Sequence, residues 1–397
     1  MWLWSKPGRA ATDSHGRRSN EKAQRPTISF APLASRTQPS GRKVLIHMRP
    51  SSSRAIAATF VFLSLISAQA GEPAQNKNAS GYHLIKRIEA GGEGGWDYLI
   101  VDPVQRRLYV SHATRVMVFD ADSGASVGEI PNTNGVHGIA IARDLGKGFT
   151  SNGRDGSVTT FDLKTLKTAG QVKVGTNPDC IIYDSATRRV FAFNRGSSDV
   201  TALDATTGAL VGLISLGGHP EFAVADGKGM VYVNLDDKSE VVALDSQRLA
   251  VKTRWSVAPG EDPSGMAMDL KTRRLFIVCG NKKMIVMNAD NGHVVADLPI
   301  GAGVDAAAFD PETKLAFSSN GQEATMTVVH EDSADKFSVV EQVPTQRGAR
   351  TMALDPKTHR VFLATAQYGP PPAATPERPN PRPTIVPGSF VVLVFGK

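Results

Sequence analysis

Apolar and polar positions in this chain are patterned on two scales. On the short scale, runs of about five β-branched and aromatic residues are separated by Asp, Asn, Gly and Pro, with no helical period. That pattern predicts short strands joined by tight turns. On the long scale the runs themselves repeat. Tyr109-Val-Ser-His112, Phe149-Thr-Ser-Asn152, Phe191-Ala-Phe-Asn194, Tyr232-Val-Asn-Leu235, Phe276-Ile-Val-Cys279, Phe317-Ser-Ser-Asn320 and Phe362-Leu-Ala-Thr365 follow one another at steps of 40, 42, 41, 44, 41 and 45 residues. A second run follows each of the first five and closes on Asp120, Asp162, Asp204, Asp245 or Asn288, before turns such as Ala121-Asp-Ser-Gly124. Upstream stands a further strand and turn, as in Leu99-Ile-Val-Asp-Pro103 and Met352-Ala-Leu-Asp-Pro356. Asp-Pro starts a turn because proline presets φ.

Each unit therefore contains four short strands. Four strands in a 40–45-residue repeat, of the WD40-like kind, are a propeller blade. One blade cannot bury both faces of its sheet, whereas a ring of blades can. Seven units give an all-β, seven-bladed β-propeller. The last unit supplies strands near 349–355, 362–365 and 390–395 and lacks a fourth. The orphan run 82–89 is expected to join that last blade and close the ring.

Composition changes the picture at the N-terminus. The net charge of +7 suggests a polyanion partner, but 11 of the 45 basic residues and two of the 38 acidic ones lie in residues 1–70. The remaining 34 basic and 36 acidic residues leave 71–397 at −2. The folded part thus lacks the electrostatic footprint of a nucleic-acid binder. The leader reads as export machinery. Residues 48–54 are a short basic segment, 55–66 an apolar run and 67–70 a small-x-small cleavage pattern. Twelve apolar residues fall short of the roughly 20 a membrane span needs. The expected organisation is an extension or mis-assigned start at 1–47, a cleaved signal peptide at 48–70, a linker at 71–81 and the propeller at 82–397. No transmembrane segment is expected in the mature chain, which reads as a periplasmic or extracellular monomer. Cys180 and Cys279 fall in non-neighbouring repeats, so they read as small buried residues rather than a disulfide.

The tetrapeptides are variants of Tyr-Val-Thr-Asn. With the Asp-Pro and Thr-Gly turns they resemble the YVTN-repeat β-propeller family over essentially all of 82–397. The resemblance implies an exported propeller and leaves activity open, since related propellers include lactonases and the large chains of amine dehydrogenases.

In a blade of strands a to d, strand a lines the central channel and its first residues meet the channel mouth. Blade by blade that position reads Asp97, His137, Asp179, Glu221, Ser264, Asp305 and Arg350, an acidic ring. Trp96, His219 and Arg347 lie close by in sequence. The b–c loops are expected to add His112, Asn152, Arg154, Asn194, Arg195 and Asn320 on the same face. Converging carboxylates and amide oxygens suit a hard cation such as Ca²⁺, and His137, His219 and His112 a softer metal. The bland alternative is a solvated channel whose acids cap backbone amides. Residues 368–387 hold eight prolines, an insertion that reads as an arm over the mouth, a partner-docking segment or a tolerated surface loop. Trp255 and Phe222 read as fillers of the gaps between blades.

Two functions follow from this reading. One is an exported, non-catalytic scaffold that binds a small ligand or a periplasmic or surface protein at the channel-mouth face. The other is a divalent-metal-dependent, lactonase-like hydrolase with the ring as metal site and His137 or His219 as base.

Overall fold

The computed structural model describes residues 80–375, 379, 381 and 383–397. The expected extension, the signal peptide and the linker up to residue 79 lie outside the described residues. The described chain is a seven-bladed β-propeller. It forms seven antiparallel four-stranded sheets, six of them from four consecutive strands. The innermost strands, beginning at Trp96, Val136, Pro178, Pro220, Pro263, Val304 and Thr351, pack each against the next, and the first against the last. In the last sheet the outermost strand is His83–Glu89, antiparallel to Val391–Gly396, which lies next to Arg360–Thr365.

The core is a set of layers between blades. Tyr109, Phe149, Phe191, Tyr232, Phe276, Phe317 and Phe362, the aromatic leaders of the tetrapeptides, are all 1% exposed or less. Each sits where one twisted sheet meets the next. Phe276 of blade 5, for example, stacks on Phe309 of blade 6 at 4.9 Å. Full burial of such a side chain contributes about 1.5–3 kcal/mol, so the spacing of these residues in the sequence is also the spacing of the blades. Cys180 and Cys279 are buried and unbridged.

The two recurrent turn aspartates have separate tasks. Asp120, Asp162, Asp204 and Asp245 cap the c–d turns. Asp204 Oδ1, for instance, accepts the amide and hydroxyl of Thr207 at 2.7 and 2.9 Å. These amides hold its carboxyl below the usual range. The aspartate ending strand a caps the a–b turn and also receives a side chain from the next blade. Arg106 reaches Asp355 at 2.7 Å, Arg273 reaches Asp226 at 3.2 Å, His359 reaches Asp310 at 2.7 Å, Arg143 approaches Asp102 at 3.6 Å and Ser246 donates to Asp184 at 2.7 Å. Blade 2 has Ala142 in this place. At its junction with blade 3 the contact is instead Tyr183 Oη to Asp144, at the surface.

Candidate functional site: the channel mouth

Blades 1 to 6 share a backbone irregularity that builds the mouth. In blade 1 Trp96 pairs with His112 and Leu99 with Val110, so one strand has an extra residue, and the same shift recurs through blade 6. A bulge of this kind re-aims side chains. Here two consecutive residues serve the axis, Asp97 and then Tyr98. The third residue of several tetrapeptides anchors the start of the next blade. Ser151 donates to the Asp179 carbonyl, Asn234 Nδ2 to the Ser264 carbonyl at 2.7 Å, and Ser319 to the Arg350 carbonyl. These positioning residues escape a sequence reading, because a serine or asparagine mid-strand looks like any polar position.

The ring at the mouth is paired rather than acidic. His137 Nδ1 lies 2.6 Å from Asp97 Oδ2 and 3.8 Å from Asp179 Oδ1. On the other side Arg350 Nε donates to Asp305 Oδ2 at 2.6 Å, and Ser264 Oγ bonds Asp305 Oδ1 at 3.0 Å. The seventh position, Glu221, accepts Arg195 Nη1 at 2.7 Å, while Nη2 of the same guanidinium reaches Asp236 at 2.6 Å. Burial pushes the His137 imidazole toward neutrality, but the Asp179 and Asp97 carboxylates outweigh it and raise its pKa to about 9. Burial likewise disfavours the Arg350 charge, and Asp305 and Asp97 more than compensate. At neutral pH the mouth therefore presents three cations, His137, Arg195 and Arg350, set among carboxylates.

Below it an aromatic pair lies at the axis. Tyr98 of blade 1 stacks on Phe222 of blade 4 with ring centroids 5.2 Å apart. Blades three apart in a ring of seven face each other, so the two rings meet across the axis. The same position elsewhere reads Gly138, Cys180, Gly265, Ala306 and Thr351, all small, which leaves the axis to the aromatic pair. Burial first, then Cys180, Asp179, Asp97 and Asp305, hold the Tyr98 hydroxyl in its neutral form. Phe222 and Trp255 both pack against the core between blades 4 and 5, Trp255 beside Tyr232 and against Gly292, and Phe222 meets Tyr98 as well.

Several residues expected at the mouth are elsewhere. Asn152, Asn194 and Asn320 are fully buried and bond inside their own blades. Asn152 Nδ2, for example, donates to Ser157 and Thr159 and its Oδ1 accepts Thr150. Their amides terminate the strand b–c pairing, a task that side-chain identity alone does not distinguish from ligand binding. His112 is 0% exposed against Phe390, and burial with the nearby Arg115 charge lowers its pKa to about 4. Trp96 packs on Phe390 and Tyr368. Arg154 and Arg347 are exposed on the loops. His219 lies 3.9 Å from Asp236, beside Arg195. The base of the Pro-rich insertion is a short hairpin, Gly369 donating to Thr384 and Val386 to Gln367. Its Tyr368 is near enough to feel the charges of Arg350 and Arg347, which places the hairpin base at the rim.

Two groups could each offer three ligand atoms within 4.8 Å of one another: Asp97, His137 and Asp179, and His219, Asp236 and Asp237. At the first, a cation would compete with the proton of His137 and with the His137–Asp97 ion pair. This pair has a measurable signature. A raised folded-state pKa contributes stability that is present below the unfolded value of about 6.5 and is lost as pH rises through about 9. We expect His137→Gln to remove up to about 3 kcal/mol of stability at pH 6 and little at pH 10. Urea unfolding at both pH values tests this, and an equal loss at both would refute it.

No model of a known protein family matches the chain, and no curated protein sequence matches it. Solved structures do. A chain of the Kuenenia stuttgartiensis hydrazine synthase is similar with a TM-score of 0.60 and 15% identity, over 68% of this chain and 92% of that one. A chain of a mitotic checkpoint complex has a TM-score of 0.65 and 13% identity, over 86% and 99%. The RRP9 WD40 repeats give 0.66 and 9%, over 80% and 98%. At these identities the likeness is one of fold.

Proposed function

We propose that this protein is an exported propeller of the YVTN-repeat type that binds a small polar ligand, or a group on a protein partner, in the cup above Tyr98 and Phe222. The observation that carries the reading is the convergence of side chains from all seven blades above the Tyr98–Phe222 pair, where His137, Arg195 and Arg350 stand among the carboxylates of Asp97, Asp179, Glu221 and Asp305. Such a cup suits a ligand with both donors and acceptors, because each ion pair can exchange a protein partner for a ligand group of like charge. The scaffold role of other propellers is consistent with this reading by analogy only. The leader supports export to the periplasm or beyond. Among the described residues no helix is long and apolar enough to cross a membrane.

A thermal-shift screen of small zwitterions, sugars and divalent cations tests the reading. A stabilising ligand should lose its effect in the near-isosteric double variant Asp179→Asn/Asp305→Asn, with no turnover of lactones or esters. Absence of any such ligand would overturn the proposal. The spacing of Asp97, His137 and Asp179 favours one second reading, a divalent-metal-dependent hydrolase. It requires stoichiometric metal in the purified protein, a melting temperature that falls on chelation, and lactone turnover that the same double variant abolishes.

A further inference from the structure

We infer that a proton shared by two buried carboxyl groups, Glu331 of blade 6 and Asp269 of blade 5, fastens the junction of these blades and makes the tip of the blade 6 outer hairpin a pH-sensitive latch. The device is separate from the cup and does not depend on the cup's ligand.

One backbone place recurs in blades 1 to 6. An amide at the end of strand c donates to a carbonyl of the a–b turn of its own blade. The residues there are Ala121, Leu163, Ala205, Ser246, Ala289 and Glu331, all 3% exposed or less. Five are small or apolar, and Glu331 is the one acid. The place faces the preceding blade. From it Ser246 of blade 4 donates at 2.7 Å to Asp184, the aspartate that ends strand a of blade 3. The aspartate in that position opposite Glu331 is Asp269, 5% exposed. A serine hydroxyl is a donor at every pH, whereas a carboxyl is a donor only while it keeps its proton.

Asp269 is the partner that stays ionised. It accepts the Lys271 amide at 2.9 Å, and the Thr272 amide and hydroxyl at 3.2 and 2.6 Å. Burial works against its charge, but these donors and Glu331 outweigh it and hold its carboxyl below the usual range. Glu331 is pushed the other way. Its Oε1 is buried and has no donor among the described residues. Burial first, and then the Asp269 charge, raise its pKa against the Thr272 hydroxyl and the Lys314 ammonium. Two carboxyls pushed apart in this way hold one proton between them.

The other charges around the pair are committed elsewhere or exposed. Arg274 of blade 5 donates to the Ala334 carbonyl at 2.7 Å and meets Asp335 at 3.0 Å. Arg273 turns to Asp226 and Asp290, and Asp310 of the blade 6 turn bonds His359 of blade 7. On the hairpin His330 and Lys336 both pair with Asp332. Lys271, Glu312 and Lys314 are exposed.

The hairpin is what the latch holds. Its strands, Thr325–Ser333 and Lys336–Pro344, are nine residues long, where the outer two strands of the other blades have five to seven. The added length meets blade 5 through Arg274, through Phe337 edge-on to Phe276 at 5.8 Å, and through Glu331. Of these contacts only the last depends on an acid proton. Ionising Glu331 leaves two carboxylates facing each other in a buried site, and their repulsion loosens the tip. A raised folded-state pKa gives stability that is present below the ordinary value of about 4.5 and is lost as pH rises through the raised value.

The test compares the wild-type chain with Glu331→Gln, whose amide donates to Asp269 at every pH. Thermal midpoints are measured between about pH 5 and pH 8. His137 also titrates above pH 6.5, so the readout is the difference between variant and wild type at each pH, in which its contribution cancels. We expect Glu331→Gln to gain on the wild type by at least about 2 °C from the acid end to the alkaline end. Asp269→Asn, whose amide can donate to an ionised Glu331, should show a gain of the same sign. Hydrogen exchange of amides 329–337, corrected for the pH dependence of the intrinsic rate, should quicken from pH 5 to pH 8 in the wild type and stay constant in Glu331→Gln. A midpoint difference that is the same at both ends, or exchange that quickens equally in both proteins, would overturn the inference. So would a calcium- or magnesium-dependent rise in the wild-type midpoint that Glu331→Gln abolishes, since the pair would then hold a metal cation in place of the proton.

Discussion

Removing residues 80–89 is expected to abolish the cooperative unfolding transition of the whole propeller. The strand His83–Glu89 supplies the fourth strand of blade 7 through six register pairs with Val391–Gly396. Ahead of it Tyr82 is 3% exposed, packs edge-on to Phe317 at 5.1 Å, and donates its hydroxyl to the His359 carbonyl at 2.6 Å. Ser80 bonds Glu341 of blade 6 from its amide at 2.8 Å. The segment therefore contacts both the last strand of blade 7 and blade 6. Without it, Val391–Gly396 becomes an unpaired apolar edge. Tyr82→Ala alone should cost about 3–5 kcal/mol, the cost of emptying a buried aromatic site. Urea unfolding followed by tryptophan fluorescence measures both. An unchanged midpoint in the 80–89 deletion would show that blade 7 is stable on three strands.

The second large effect is expected where blade 7 meets blade 1. Arg106→Ala should cost about 3–4 kcal/mol, because it strips Asp355, 0% exposed, of its charged partner. Arg106 also bonds Asp122 through Nε at 2.9 Å. The Lys357 amide and the Thr358 hydroxyl remain on Asp355 and soften the loss. The double variant Arg106→Met/Asp355→Asn should recover most of it, since no uncompensated charge is then left inside and the amide oxygen still accepts the Lys357 amide. Arg248→Ala is the control. Its pair with Asp245 is nearly as short, at 2.9 Å, but Arg248 is 82% exposed. It should change stability by less than about 0.5 kcal/mol. Comparable losses for Arg106 and Arg248 would mean the inter-blade carboxylates are not buried anchors.

Much of this fold could be read from the chain. Burial between blades needs one aromatic at a fixed place in each unit, so Tyr109 through Phe362 announce the period. Turn aspartates such as Asp204 recur because a tight turn needs a short acceptor for its amides. The candidate site was legible only in part. Counting one position per blade found Asp97, His137, Asp179, Glu221, Ser264, Asp305 and Arg350. It did not find their pairing, because Arg195, which neutralises Glu221, comes from a loop of the preceding blade. Nor did it place Phe222 across the axis from Tyr98. Strict alternation would put residue 98 on the opposite face from 97, and only the bulge lets both face the axis.

The sequence by itself determined the number of blades, their four-strand content and the residues brought near the axis, because those depend on local period and turn chemistry that any window of the chain displays. The tertiary structure alone decided which charges meet and which asparagines are buried. Those outcomes depend on distances between residues some 40 positions apart, and such distances are set only when twisted sheets pack in a ring.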